Sequence, residues 1–288
     1  MNNTILHINS VSKSFSHSIK KLNGDVSKEE YCVLDKIDLQ VQKGKITAII
    51  GSNGAGKTTL FNIVSGLLNT DKGELFYTPN GKKYNLRKIS PYKLARIGIG
   101  RMFQDNHIFP KLTVMENMLI ADTDPYGENA FTSFFYHRKK RKIEKERKLR
   151  AEQIFEMLFG KANPFCEKQE DYAETLSYGQ QRLLGLARLF MGNYKLVLLD
   201  EPTAGVNPVL VKKIAEIIRK MVDKRQMTIL LIEHNMPFVE SLADLCVFIN
   251  TGKIETAGSV VEVLDNPHVR ENYLGKRTTK RNSTDAQA

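Results

Sequence analysis

Apolar and polar positions change period several times along the chain, and the changes divide it into blocks. Thr4–Asn9 alternates and Val33–Val41 reads as a second strand, while Ser16–Glu30 between them is polar and is expected to be an exposed, turn-rich excursion. Lys45–Ile50 is a short run rich in β-branched residues that stops at Gly51. Thr58–Leu67 then places Leu60, Ile63 and Val64 on one helical face, and Leu75–Tyr77 with the Pro79-Asn80-Gly81 turn predicts a small antiparallel piece. From about Asp105 to Thr175 helical spacing takes over. Val114, Met118 and Ala121 share a face there, as do Ile154 and Leu158 with Phe155 and Phe159 beside them. After Ser177 helix and strand alternate: Gln180–Met191, Leu196–Leu199, Val209–Val222, Thr228–Ile232, Met236–Ala243 and Leu245–Ile249. Continuous apolar strands alternating with helices predict an α/β fold with a mostly parallel sheet covered on both faces, into which the central helices are inserted.

Composition narrows the class. With 288 residues, 41% apolar and 26% charged, the chain can bury a substantial core and is globular. No window approaches the roughly 18 consecutive apolar residues that a membrane span requires, and the N-terminus lacks the apolar stretch of a secretory signal. Cys32, Cys166 and Cys246 are odd in number and far apart, which favours free thiols and a cytoplasmic address. The net charge of +11 suits nucleic acid and the anionic inner leaflet of a membrane equally. Much of it sits in Arg138–Arg150, nine basic residues against Glu144 and Glu146. A solvated helix face with Glu144–Lys148 and Glu146–Arg150 pairs is the plain expectation for that run. Contact with lipid headgroups or a partner comes next, and nucleic acid last.

The chemistry starts at Gly51-Ser-Asn-Gly-Ala-Gly-Lys57-Thr58-Thr59, which matches G-x-x-x-x-G-K-[ST] between an apolar strand and a helix. Gly51, Asn53, Gly54, Ala55 and Gly56 can curl so that backbone N–H groups converge on phosphate, and the helix that opens at Lys57, Thr58 and Thr59 adds its positive dipole. Lys57 is expected on the β- and γ-phosphates and the Thr58 hydroxyl on Mg²⁺. A second metal contact is expected where a neighbouring buried strand ends, and Leu196–Leu199 ends at Asp200. Glu201 follows and can orient and polarise an attacking water. His234, two residues beyond Ile232, and Gln104, after Ile99–Phe103, occupy the corresponding ends of two more strands. His234 can donate to the γ-phosphate, and the Gln104 amide can sense water or metal there.

Leu176-Ser177-Tyr178-Gly179-Gln180-Gln181-Arg182 precedes the Asp200 strand by about twenty residues. Locally Ser177-x-x-Gln180 is a capping box, and an exposed helix N-terminus is itself a phosphate-binding device. The phosphate loop, this segment, Asp200-Glu201 and His234 stand in the order found in ABC ATPases, and the chain resembles that family over residues 4–275. The resemblance implies an α/β P-loop (RecA-like) fold: a mostly parallel sheet with an antiparallel β subdomain, and a helical subdomain inserted at about 105–178. It also implies a single ATPase domain over 1–275, followed by a polar tail at 276–288. ATP and Mg²⁺ are the implied ligands, held with Thr58, Gln104 and Asp200 around the metal. A head-to-tail dimer, homomeric or with a related ATPase, would place Ser177, Gly179 and Gln180 on the nucleotide of the opposite subunit, with Asn207 in the inter-subunit loop. Phe15 is the implied stacking partner of adenine, with Tyr31 as its competitor. The partners implied are integral membrane permease subunits, docked near Gln104 and Ile108-Phe109-Pro110 on the inner face of the cell membrane.

Two positions depart from the commoner pattern: Tyr178 replaces a glycine and Asn207 an aspartate. Both resemble the branch serving branched-chain (hydrophobic) amino acid importers. Arg101-Met-Phe-Gln104, Leu112-Thr-Val-Met-Glu-Asn117, Ile232-Glu-His-Asn-Met236, Tyr273-Leu-Gly275 and the basic insertion between Pro125 and Arg150 do so too. ATPases of urea import and lipopolysaccharide export resemble it closely enough to stay open. A nucleic-acid-associated ABC ATPase is expected to carry long coiled-coil arms or two cassettes, and neither is present in the sequence. A non-hydrolysing subunit is disfavoured by Glu201 and His234.

Overall fold

A computed structural model describes residues 3–20, 26–105, 108–122, 137–161 and 163–271. The Tyr273-Leu-Gly275 motif and the 276–288 tail lie outside the described residues, as does part of the Pro125–Arg150 insertion.

The centre is a six-stranded sheet in the order β10-β9-β3-β8-β7-β6, built from β3 (Ile46–Ile50), β6 (Ile99–Met102), β7 (Leu196–Asp200), β8 (Thr228–Ile232), β9 (Leu245–Asn250) and β10 (Lys253–Gly258). Five strands run parallel; only β10 returns antiparallel, along β9. Strand residues alternate between two cores. Ala48, Leu199, Leu231 and Phe248 face one side, and Ile49, Leu198, Leu230 and Val247 face the other, all essentially solvent-free. That two-sided burial is why these strands carry unbroken apolar runs. On the first side lie α5 (Tyr178–Met191), α6 (Pro208–Arg225) and α7 (Met236–Leu242); on the second lies α1 (Lys57–Val64).

A second sheet, antiparallel, orders as β2-β1-β4-β5, with β1 (Thr4–Lys20), β2 (Val26–Gln42), β4 (Lys72–Tyr77) and β5 (Tyr84–Asn85). The Ser16–Glu30 segment differs from expectation. β1 and β2 continue through it as a paired ribbon, Ser16 opposite Glu30 and Lys20 opposite Val26, with 21–25 outside the described residues. Ser16 and Lys28–Glu30 are exposed, so no hydrophobic alternation marks this outer stretch, which is recognised by its backbone pairing.

The inserted part contains α3 (Val114–Ile120), α4 (His137–Phe159) and two 3₁₀ turns, Pro164–Glu170 and Ala173–Thr175. Phe155, Phe159 and Phe165 pack with ring centroids 4.8–5.0 Å apart. α2 (Pro91–Arg96) and α8 (Val260–Asp265) complete the cover. The expected Glu144–Lys148 and Glu146–Arg150 pairs give way to tertiary partners. Lys148 reaches Glu170 at 3.1 Å, while Arg150 binds Asp122 at 3.4 Å and the Met191 carbonyl at 2.9 Å. Cys32, Cys166 and Cys246 are free thiols. Among the described residues no helix is long and apolar enough to cross a membrane.

Candidate active site

Four parallel strands deliver their carboxyl ends to one edge of the sheet, in the spatial order β3, β8, β7, β6. Gly51–Thr59 follows β3, Glu233 and His234 follow β8, Asp200 ends β7 with Glu201 after it, and Phe103 and Gln104 follow β6. Loops and helix N-termini converge at such an edge, which is where parallel sheets bind ligands.

The Gly51 loop is shaped by what its neighbours exclude. A Cβ on Gly51 would lie 2.0 Å from the Ile249 carbonyl oxygen. Gly56 has φ +96°, and a Cβ there would lie 2.8 Å from the Val33 carbonyl oxygen. Lys57, buried at the first position of α1, folds back so that its Nζ donates to the carbonyls of Gly51 (2.8 Å) and Ser52 (2.9 Å). Burial lowers its pKa, while the charges of Glu201 and Asp200 oppose the shift. No acidic residue occupies the first turn of α1, so helix dipole and ammonium leave the loop electropositive. Asn53, Gly54 and Thr58 are exposed, Thr59 is half-buried and Ala55 is buried.

Asp200, only 4% exposed, is not alone in its cavity. Its Oδ2 pairs with Arg101 Nη2 at 3.1 Å, and Arg101 Nη1 donates to Asn62 Oδ1 (2.7 Å) and Ser65 Oγ (2.8 Å) at the end of α1. Burial raises the Asp200 pKa, and Arg101 pulls it back. A buried carboxylate beside an electropositive loop fits a divalent cation carried by a polyphosphate. Among the described residues no three His, Cys, Asp or Glu side chains gather as a ready-made metal cage.

Glu201 is where the predicted residues meet. Its Oε2 accepts from Gln104 Nε2 at 3.0 Å, and its Oε1 lies 3.2 Å from His234 Nε2. Its backbone is left-handed, φ +47°, a conformation costly to a side-chain-bearing residue and held here by its N–H bond to the Ile232 carbonyl at 3.0 Å. Glu233, buried and absent from the expectations, accepts from the Thr203 N–H and hydroxyl with one oxygen (3.0 and 2.6 Å). Its other oxygen accepts from the backbone of His234 (3.0 Å) and Asn235 (3.2 Å), so it fixes the loop that carries His234.

Phe15 and Tyr31 turn out to be neighbours. They are paired across β1 and β2 with rings stacked at 6.0 Å and 28°, two residues from the Val33 carbonyl that abuts Gly56. Apart from these residues, α5 begins with Ser177 as N-cap: Ser177 Oγ accepts from the Gln180 N–H (3.4 Å), and Gln180 Oε1 accepts from the Ser177 N–H (3.0 Å). The capping box is therefore formed and the side chain of Gln180 is engaged in it. Gly179 is half-buried, packed against Leu210, and Asn207 caps α6 by accepting from the Leu210 N–H at 2.9 Å. The sequence pattern does not mark Arg101 as the partner of Asp200. A lone arginine in the apolar stretch Ile99–Phe103 was the available signal, since a buried guanidinium requires partners.

This arrangement is that of an ATP-binding cassette. Residues 34–204 match the ABC transporter family, and the chain belongs to it, an ATPase of the class coupled to transport. Its resemblances to particular proteins are specific. LivG of Archaeoglobus fulgidus, named a probable branched-chain amino acid transport ATP-binding protein, is 36% identical over 250 residues, covering 86% of this chain and 91% of that one. BraF of Pseudomonas aeruginosa, named a high-affinity branched-chain amino acid transport ATP-binding protein, is 34% identical over 245 residues, covering 83% and 91%. A solved nucleotide-free cassette from an ABC transporter superimposes with TM-score 0.73 at 32% identity, over 95% of this chain and all of that one. A solved ADP conformation of an ATP-binding cassette of an ABC transporter gives 0.73 at 30% identity, over 95% and 99%.

Proposed function

We propose that this chain hydrolyses ATP at the Gly51–Thr59 edge and uses the cycle to drive a membrane permease importing branched-chain amino acids. The observation that carries the catalytic part is the Glu201 carboxylate bracketed by Gln104 at 3.0 Å and His234 at 3.2 Å, beside Lys57. Lys57 would leave its two carbonyl partners for the β- and γ-phosphates, with backbone N–H groups from Gly51 to Thr59 around them. Thr58, Asp200 and Gln104 would hold Mg²⁺, which when bound neutralises charge on the phosphate oxygens. Glu201 orients a water toward the γ-phosphorus and accepts its proton as the bond to the bridging oxygen breaks, leaving ADP and phosphate. His234 and Gln104 keep Glu201 in place. The Phe15–Tyr31 pair offers one aromatic surface for adenine.

The dimer belongs to the same reading: Ser177, Gly179, Gln180 and Asn207 would meet the nucleotide held by a second cassette, of this chain or a related one. Residues 1–275 form a single ATPase domain with the helical part at about 105–178 inserted, placed on the cytoplasmic side against the permease. The substrate class rests on the names of relatives 32–36% identical to this chain.

Glu201→Gln tests the catalytic assignment. Binding of a fluorescent ATP analogue is expected to persist while turnover falls about 10²–10⁴-fold, the range of a lost general base. Near-normal turnover sinks the assignment. Transport is tested by reconstituting the chain with the permease that copurifies with it: leucine, isoleucine or valine uptake supports the proposal, whereas urea uptake or lipopolysaccharide extraction replaces it.

A further inference from the structure

Arg182 is the largest fully buried side chain among the described residues, and its two terminal nitrogens bridge the 103–104 segment and its own helix. Nη1 donates to the Phe103 carbonyl at 3.0 Å, and Nη2 donates to the Gln104 carbonyl and to the Tyr178 hydroxyl, the last at 3.0 Å. Arg182 and Tyr178 are four residues apart on α5, so the phenol lies one helical turn back along the same face, its ring 5.4 Å from the guanidinium carbon. The ring continues to a third element. A Cβ on Gly205 would lie 3.2 Å from it, so Tyr178 rests on the backbone of the segment between Glu201 and Asn207.

We propose that Tyr178 is a positioning residue for Gln104. Burying a guanidinium is costly unless its donors are used, and here the two carbonyls it grips are those that aim the Gln104 side chain at Glu201. Tyr178 fixes where the guanidinium sits. Its hydroxyl takes one donor, its ring face covers the cation, and Gly205 backs the ring because no side chain intervenes. A displacement of the Gln104 loop therefore reaches the first turn of α5 and the 201–207 loop through two side chains. The Glu201 carboxylate closes the circuit through Gln104 Nε2.

Two measurements on the full chain test this. In hydrogen–deuterium exchange without nucleotide, Tyr178→Phe is expected to speed exchange in the peptide spanning Arg101–Asp105 by about three- to tenfold, the scale of one ordinary net hydrogen bond. Unchanged exchange there overturns the proposal. Tyr178 is half exposed, so the melting temperature should stay within about 2 °C of the wild type. Should it fall further, Arg182→Lys, which keeps the charge but loses the fork, provides the second variant with the same expected exchange pattern. The kinetic arm rests on the ATPase reading above. Tyr178→Phe is expected to lower kcat about three- to tenfold with KM for ATP little changed, and Tyr178→Phe combined with Gln104→Ala to lose no more than Gln104→Ala alone. Losses that multiply in the double variant contradict the role. A wild-type chain without turnover counts against the ATPase reading instead, and the exchange arm still decides this one.

Discussion

Asp200 and Glu201 are adjacent carboxylates with opposite surroundings, and the difference assigns them different work. Asp200 is 4% exposed and held by Arg101, which also grips Asn62 and Ser65 at the end of the phosphate-loop helix. Glu201 turns out of the sheet through a left-handed backbone toward Gln104 and His234. Removing Arg101 leaves a buried carboxylate uncompensated, so Arg101→Leu is expected to cost about 3–5 kcal/mol in urea unfolding of the nucleotide-free chain. A loss under about 1 kcal/mol would mean that Asp200 takes up a proton or another partner instead. The sequence showed that Asp200 and Glu201 matter because they end an apolar strand. It did not show Arg101 as the counter-charge, since that pairing depends on β6 lying beside β7 and on α1 packing across both.

Elements here are fixed by a few buried polar groups at their ends. Asn117, fully buried in α3, accepts from the Phe109 N–H (2.9 Å) and donates to the carbonyls of Phe109 (2.9 Å), Leu112 (3.3 Å) and Thr113 (2.9 Å). It therefore shapes the turn that carries Phe109 and Pro110 out from the Gln104 loop. Asn117→Leu leaves those groups without partners and is expected to cost about 1–3 kcal/mol. Trypsin should then cut the native chain faster after exposed Lys111; unchanged cleavage together with unchanged stability contradicts this account. The basic helix α4 shows the opposite limit of sequence reasoning. Its helical period was legible, but Arg147 and Arg150 bind Asp122 across the fold, and local i,i+4 spacing could not anticipate partners 25 or more residues away. Likewise, where β1 and β2 pair beyond Phe15 and Tyr31, the sequence is polar at Ser16 and Lys28–Glu30, which are exposed, so backbone pairing there leaves no periodic mark.

At the scale of the molecule, the phosphate loop and the α5 N-terminus belong to different structural parts: Lys57 opens the helix after β3, while Ser177 ends the inserted helical stretch. The proposed shared site follows from that division. In a defined heterodimer carrying Ser177→Arg on one subunit and Lys57→Ala on the other, both changes fall on the same nucleotide, so the remaining site should retain turnover. With both changes on one subunit, each site carries one lesion and turnover should vanish. Equal activity of the two arrangements contradicts the shared site.

By itself the sequence determined what depends on neighbours along the chain: apolar strands, helical faces, the glycine-rich loop, the capping box and the residues at strand ends. These signals are local because backbone conformation and one-sided burial act over a few residues. Only the tertiary structure decided the strand order that brings Gln104 and His234 to the Glu201 carboxylate. The same holds for Arg101 on Asp200, the stacking of Phe15 on Tyr31, and the link from Arg182 through Tyr178 to Gly205. Apart from Arg182 on Tyr178, one helical turn apart, each joins residues whose separation in the chain says nothing of their separation in space. At Asp200 and Arg182 burial makes the contact matter, because a polar group removed from water must find its partner within the fold.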